Sequence, residues 1–226
     1  LKKMDIARYL DHTQLAPYSR ESDILKLCEE GLKYNFRAIC VAGTWVEFCR
    51  SELAGSPVLL AAVVGFPHGN TTSSTKCLEA ETCFKNGADE LDMVINVGWL
   101  RSGKTKLIET ELALIRKAVP QGVLKLILET CYLNDDQKRL ACQLAMGTGW
   151  DYVKTSTGFG TAGATLEDVR LMKNEVKNTM GIKASGGIRD FQTAQKFVKE
   201  GATRIGTSSG PAIVEEGISL SQKRPL

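Results

Sequence analysis

The chain has 226 residues, 43% of them hydrophobic and 24% charged, with a formal net charge of +3. This composition excludes disorder and low complexity, and the length suits one (β/α) barrel. The charge is mild and no basic run exceeds two residues, so nothing here indicates a nucleic-acid partner.

Short apolar, β-branched segments alternate with longer amphipathic ones. Eight strands are predicted, at Arg8–His12, Ala38–Ala42, Val58–Gly65, Leu91–Asn96, Lys125–Glu129, Tyr152–Ser156, Ile182–Ser185 and Arg204–Thr207. Helices are predicted over Ser19–Lys33, Thr75–Asn86, Lys104–Val119, Asp135–Thr148, Leu166–Asn178 and Asp190–Glu200. Asn134 is the expected N-cap of the fourth of these. Gly87, Gly147 or Gly149, and Gly201 each fall where a helix C-cap needs positive φ, just before the next strand. The strands recur at βαβ spacing, and no Pro/Gly-rich linker interrupts them. The reading is therefore a single parallel (β/α)8 TIM barrel over residues 1–226, and not an open doubly wound sheet, which would carry a glycine fingerprint after its first strand.

Several features imply a soluble, reduced, cytoplasmic protein. The longest apolar run, Val58 to Phe66, is half a membrane span, so no membrane association is expected. The N-terminal Leu1-Lys2-Lys3-Met4-Asp5 lacks the apolar core of a signal peptide. Seven cysteines without a C-x-x-C pair, beside two histidines, read as free thiols and not as a metal site. Trp45, Trp99 and Trp150 read as packing residues, and His68 as a residue organising the loop after the third strand.

In such a barrel the chemistry lies at the C-terminal ends of the strands. Polar residues inside strands are dense here: Asp11, Cys40, Asp92, Asn96, Lys125, Glu129, Lys154, Ser156, Lys183 and Ser185. Lysine is seldom fully buried without a partner, and three lysines fall in three consecutive strands. Lys125 begins its predicted strand, where solvent could claim it, but Lys154 sits inside one. A buried lysine beside a second cation is what a Schiff-base nucleophile requires. Free lysine titrates near ~10.4, and lowering that to ~7 costs roughly 4–5 kcal/mol. Lys183 on the adjacent strand can supply the like charge, and Asp92 and Lys125 can move protons through a water.

A second signal suits phosphate. Lys183-Ala184-Ser185-Gly186-Gly187-Ile188-Arg189 closes the seventh strand, and Gly206-Thr207-Ser208-Ser209-Gly210 the eighth. Loops after strands seven and eight, followed by a short helix (here Pro211 to Glu216), are the recurrent barrel site for phosphate.

The runs Tyr152-Val153-Lys154-Thr155-Ser156-Thr157-Gly158-Phe159, Asp89-Glu90-Leu91-Asp92-Met93-Val94, Lys183-Ala184-Ser185-Gly186-Gly187 and Tyr9-Leu10-Asp11-His12-Thr13 closely resemble the deoxyribose-phosphate aldolase family. The similarity spans nearly the whole chain in the right order. It implies a class I aldolase that needs no metal or organic cofactor and acts on a small sugar phosphate and aldehydes. It further implies Lys154 as the Schiff-base lysine, Lys183 as its pKa-lowering neighbour, and Asp92, Lys125 and Asp11 as a proton and hydroxyl network. Cys40 would line the aldehyde end of the pocket, with Gly186, Gly187, Ser208 and Ser209 at the phosphate and Thr157 and Gly158 nearby. Two departures stand out: Phe159 occupies a position where some relatives carry a phosphate-binding lysine, and the tail from Ser219 to Leu226 has no tyrosine. The resemblance leaves the oligomeric state open, a homodimer being common among relatives. The alternatives are a non-catalytic sugar-phosphate-binding barrel and another Schiff-base aldolase or transaldolase.

Overall fold

In a strand successive side chains point to opposite faces, and here that alternation separates two kinds of residue. Leu10, Ile39, Val41, Leu60, Ala62, Leu91, Met93, Leu124, Leu126, Val153, Ile182 and Ile205 belong to one large apolar core. Their strand neighbours Asp11, Cys40, Asp92, Lys125, Lys154 and Lys183 turn the other way. A sheet with helices over its apolar face and ionic groups on the other can hide both only by closing on itself.

The computed structural model, which describes residues 5–222, shows that closure. The strands are β1 (Leu10–Thr13), β2 (Ala38–Val41), β3 (Leu59–Val64), β4 (Glu90–Val94), β5 (Val123–Ile127), β6 (Tyr152–Lys154), β7 (Gly181–Ser185) and β8 (Arg204–Thr207). All pair in parallel and in sequence order, and β8 pairs with β1. The helices are α1 (Glu21–Tyr34), α2 (Val46–Glu52), α3 (Ser73–Lys85), α4 (Val97–Arg101), α5 (Thr105–Ala118), α6 (Asp135–Gly147), α7 (Leu166–Val176), α8 (Phe191–Glu200) and α9 (Gly210–Gln222). The fold is a (β/α)8 TIM barrel.

Every predicted strand is present; β8 keeps its predicted bounds and the others shift at one or both ends. β5 begins two residues before Lys125, so that lysine is central in its strand and wholly buried. Asn96, Glu129 and Ser156 lie past the ends of their strands, in the loops. The helices α2 and α4 are absent from the prediction; at seven and five residues they are too short to display a period. The helix expected over Pro211–Glu216 begins at Gly210 and runs 13 residues. The last residues of the tail, Lys223 to Leu226, and the first four, Leu1 to Met4, lie outside the described residues.

Local signals act as read. Asn134 caps α6, accepting from the Gln137 amide at 2.9 Å while the Gln137 side chain returns to the Asn134 amide. Gly87, Gly149 and Gly201 adopt positive φ (106°, 74° and 122°). Trp150 is buried and donates its indole N–H to the Leu112 carbonyl at 3.2 Å; Trp45 and Trp99 pack against the core. All seven cysteines are unbridged. His68, by contrast, is exposed and makes no hydrogen bond among the described residues, so it does not organise its loop through one.

The barrel interior is divided. Cys40, Ala61 and Val63 form a small apolar cluster on the β2–β3 side, roofed by Leu15 and Phe66. The rest is ionic. At its base, Gly181 lets the Tyr152 ring lie against the β7 backbone: a Cβ at Gly181 would meet Tyr152 Cε1 at 2.1 Å. Gly181→Ala is therefore expected to cost about 1–3 kcal/mol through overpacking, seen as a lowered Tm in thermal unfolding.

Candidate active site

Lys154 ends β6, a strand of three residues. Backbone bonds hold it on both sides: Leu128 donates to the Lys154 carbonyl at 2.9 Å, and Thr155 to the Lys183 carbonyl at 3.0 Å. Register places Lys154 beside Lys183 and Ile127, and Asp92 beside Lys125. Lys154, Lys183, Asp92 and Lys125 all point inward and meet as a direct consequence of strand alternation.

Asp92 is their common centre. Its Oδ1 lies 2.7 Å from Lys125 Nζ, and its Oδ2 lies 2.8 Å from Lys154 Nζ and 2.7 Å from Lys183 Nζ. Lys183 also pairs with Asp11 Oδ2 at 2.5 Å, and Lys125 with Glu90 Oε2 at 2.6 Å. Arg204 closes the ring, donating through Nε to Asp11 at 2.7 Å and through Nη1 and Nη2 to the two oxygens of Glu90 at 3.1 and 2.7 Å. All of these groups are buried.

The titration of each group follows from its partners. Burial tends to raise Asp92, but Lys125, Lys154 and Lys183 hold its carboxyl well below the usual range. Burial also opposes the charge on Asp11, yet Lys183 and Arg204 bring it down to about 2. For Lys125 and Lys183 burial favours the amine, but Asp92 with Glu90, and Asp11 with Asp92, outweigh it and raise both. Lys154 goes the other way: burial lowers it, Lys183 pushes in the same direction, and Asp92 alone does not offset them. Burial raises the Cys40 thiol.

Above this cluster lies a half-open cavity of about 380 Å³. Of the five residues expected to be catalytic, Lys154 alone lines it; Asp11, Asp92, Lys125 and Lys183 lie behind the wall. Thr157, Gly158, Gly186, Gly187 and Ser208 line the cavity, together with Tyr18, Phe159, Ser185, Arg189 and Thr207. Cys40 and Ser209 do not: Cys40 is wholly buried in its apolar cluster, and Ser209 donates its amide to Thr207 Oγ1 at 2.9 Å at the start of α9. Gly186 and Gly187 take positive φ (90° and 82°), turning the backbone at the end of β7 toward the cavity.

Two contributors, Glu90 and Arg204, were not read from the sequence. They begin their strands, a place where charged residues usually meet solvent. Glu129 lies past β5 at φ 54° and accepts from the Thr157 amide at 3.1 Å and, in a short contact, from the Thr157 hydroxyl. It thereby pins the loop that carries Phe159. The Phe159 ring meets Phe66 edge-on, centroids 5.4 Å apart, and borders both the main cavity and a smaller one of about 150 Å³ edged by His68. No three His, Cys, Asp or Glu side chains are grouped to hold a metal ion among the described residues. Nor is any helix among them long and apolar enough to cross a membrane.

Comparison with known proteins agrees with the architecture. The chain is 48% identical over 212 residues to the deoxyribose-phosphate aldolase of Streptococcus gordonii, covering 94% of this chain and 96% of that protein. It is also 48% identical over 216 residues to the deoxyribose-phosphate aldolase of Thermococcus gammatolerans, with the same coverage. Among solved structures, the tetrameric deoxyribose phosphate aldolase of Aeropyrum pernix superposes with a TM-score of 0.88 at 33% identity, over 95% of this chain and 92% of that one. The family model for DeoC/LacD aldolases matches residues 6–216. This chain belongs to the DeoC/LacD family of aldolases.

Proposed function

We propose that the chain is a class I aldolase that reversibly cleaves 2-deoxy-D-ribose 5-phosphate to D-glyceraldehyde 3-phosphate and acetaldehyde, in deoxyribonucleotide catabolism in the cytoplasm. The observation that carries the reading is the position of Lys154. It is the one lysine of the ionic cluster that reaches the cavity, and the one whose surroundings favour the neutral amine.

In this reading the Lys154 amine adds to C1 of the open-chain sugar, and loss of water gives the iminium. Acetaldehyde carries only C1 and C2, so the bond that breaks is C2–C3. Its electron pair moves into the iminium as the C3 hydroxyl gives up its proton, leaving glyceraldehyde 3-phosphate and an enamine on Lys154. Protonation at C2 and hydrolysis release acetaldehyde and restore the amine. Water and Asp92, the carboxylate in contact with Lys154, carry the protons, while Lys125 and Asp11 fix the cations around that carboxylate. Gly186, Gly187 and the Thr207–Ser208 turn, ahead of the N-terminus of α9, suit the phosphate. Phe159 puts an aromatic face, and no cation, at the cavity mouth.

Borohydride reduction in the presence of acetaldehyde or 2-deoxyribose 5-phosphate, followed by peptide mass spectrometry, tests this. The expected adduct is on Lys154. An adduct on Lys183 or Lys125 keeps the Schiff-base chemistry and reverses the roles. If the sugar phosphate binds and no adduct forms, the aldolase reading gives way to a non-catalytic sugar-phosphate-binding barrel.

A further inference from the structure

Seven ionic side chains from six strands meet inside the barrel: Asp11 from β1, Glu90 and Asp92 from β4, Lys125 from β5, Lys154 from β6, Lys183 from β7 and Arg204 from β8. The other two strands face them with Cys40, Ala61 and Val63, none of them ionic, and Glu129 beyond β5 is engaged by Thr157. Among the described residues the cluster thus holds four cations against three carboxylates. A dry interior tolerates one uncompensated charge poorly, so one cation is favoured to lose its proton. Arginine cannot do so.

The pairing shows which one yields. Lys125 touches Glu90 and Asp92, Lys183 touches Asp11 and Asp92, and Arg204 touches Asp11 and Glu90. Lys154 touches Asp92 alone, at the oxygen that Lys183 already shares. We propose that Arg204 is a positioning residue for the reaction: by occupying Glu90 and one oxygen of Asp11 with a permanent charge, it commits Lys125 and Lys183 to Asp92 and leaves Lys154 as the surplus cation, hence the free amine. Its hold is shaped by the fold, since the guanidinium also lies over the Tyr152 ring, 5.9 Å from the centroid. This inference rests on the reading of Lys154 as the Schiff-base amine and extends it to a residue that never meets substrate.

The test measures the amine directly, without turnover. Acetylation of Lys154 by trace acetic anhydride is followed against pH by peptide mass spectrometry, which gives the midpoint at which the amine appears. Arg204→Met equalises the cations and carboxylates, so the Lys154 midpoint is expected to rise by about one pH unit or more, about tenfold less amine at neutral pH. Arg204→Lys keeps the charge and should leave the midpoint near that of the parent. Glu90→Gln enlarges the surplus and should lower it. The Arg204→Met/Glu90→Gln double variant restores a surplus of one and should return the midpoint to the parent value, a rescue that a purely structural arginine would not show. If Arg204→Met does not fold, the Glu90→Gln and double-variant midpoints decide. An unmoved midpoint in Arg204→Met, or no rescue in the double variant, overturns the proposal. Midpoints that move as expected while acetaldehyde is trapped on another lysine support the charge assignment and sink the Schiff-base reading separately.

Discussion

Lys154→Ala is expected to lose turnover of 2-deoxyribose 5-phosphate by at least about 10³-fold while still binding the sugar phosphate. The loss follows from chemistry: without the amine there is no iminium to accept the electron pair of the C2–C3 bond, and no other lysine lines the main cavity. Binding should persist because the proposed phosphate end of the cavity, at Gly186, Gly187 and Ser208, is unaltered. Stability should persist as well. With Lys154 the neutral amine, its removal leaves three cations facing three carboxylates as in the parent, and Asp92 keeps Lys125 and Lys183. We therefore expect an unfolding free energy within about 1 kcal/mol of the parent, since the deletion leaves no buried charge without a partner. Steady-state kinetics, calorimetric titration with the sugar phosphate and thermal unfolding give the three readouts. Turnover within tenfold of the parent would remove Lys154 from the nucleophile role. A large drop in Tm would mean that the lysine serves the fold first.

How much of this was legible in the sequence depended on where each signal lies. The barrel was readable because its evidence is local: apolar alternation within a strand, and glycines that take positive φ at helix ends. Lys154, Lys183 and Asp92 were readable for the same reason, being charges at inward positions of otherwise apolar strands. Arg204 and Glu90 were not. They open β8 and β4, they lie 114 residues apart, and a charged residue at a strand start usually marks solvent. Lys125 was misplaced by two residues of strand boundary, which made a central buried cation resemble a rim residue. The buried Lys76–Glu111 pair, at 2.7 Å between α3 and α5, was invisible because each half alone reads as an ordinary polar helix position. Cys40 shows the opposite error. The resemblance implied a pocket wall, but Leu15 and Phe66 cover it.

Asp92→Asn should be the most destabilising of these changes, and its contrast with Lys154→Ala separates the scaffold of the site from its reagent. The amide keeps the size of the carboxylate but removes the one anion shared by three lysine side chains, all within 2.8 Å of it. Breaking a buried ionic contact from one side costs about 3–5 kcal/mol, which at this chain length lowers Tm by roughly 6–20 °C. The pH dependence gives the sign. Asp92 ionises well below the ordinary carboxylate value in the folded protein, so its contribution is complete above an unfolded pKa near ~3.9. That contribution is lost only as pH falls through the lower folded value. The stability gap between parent and Asp92→Asn should thus be constant from neutral pH down to about 4 and close as the solution is made more acidic. Its chemistry should split as well. With its attractive carboxylate gone, Lys154 becomes an amine at lower pH, so borohydride trapping persists or shifts toward acid while turnover fails for want of a proton carrier. Denaturant unfolding across pH, beside trapping and kinetics on the same variant, measures all three. A gap that already narrows between neutral pH and about pH 4, or turnover that survives, would show that Asp92 is neither the anchor of the cluster nor its proton carrier.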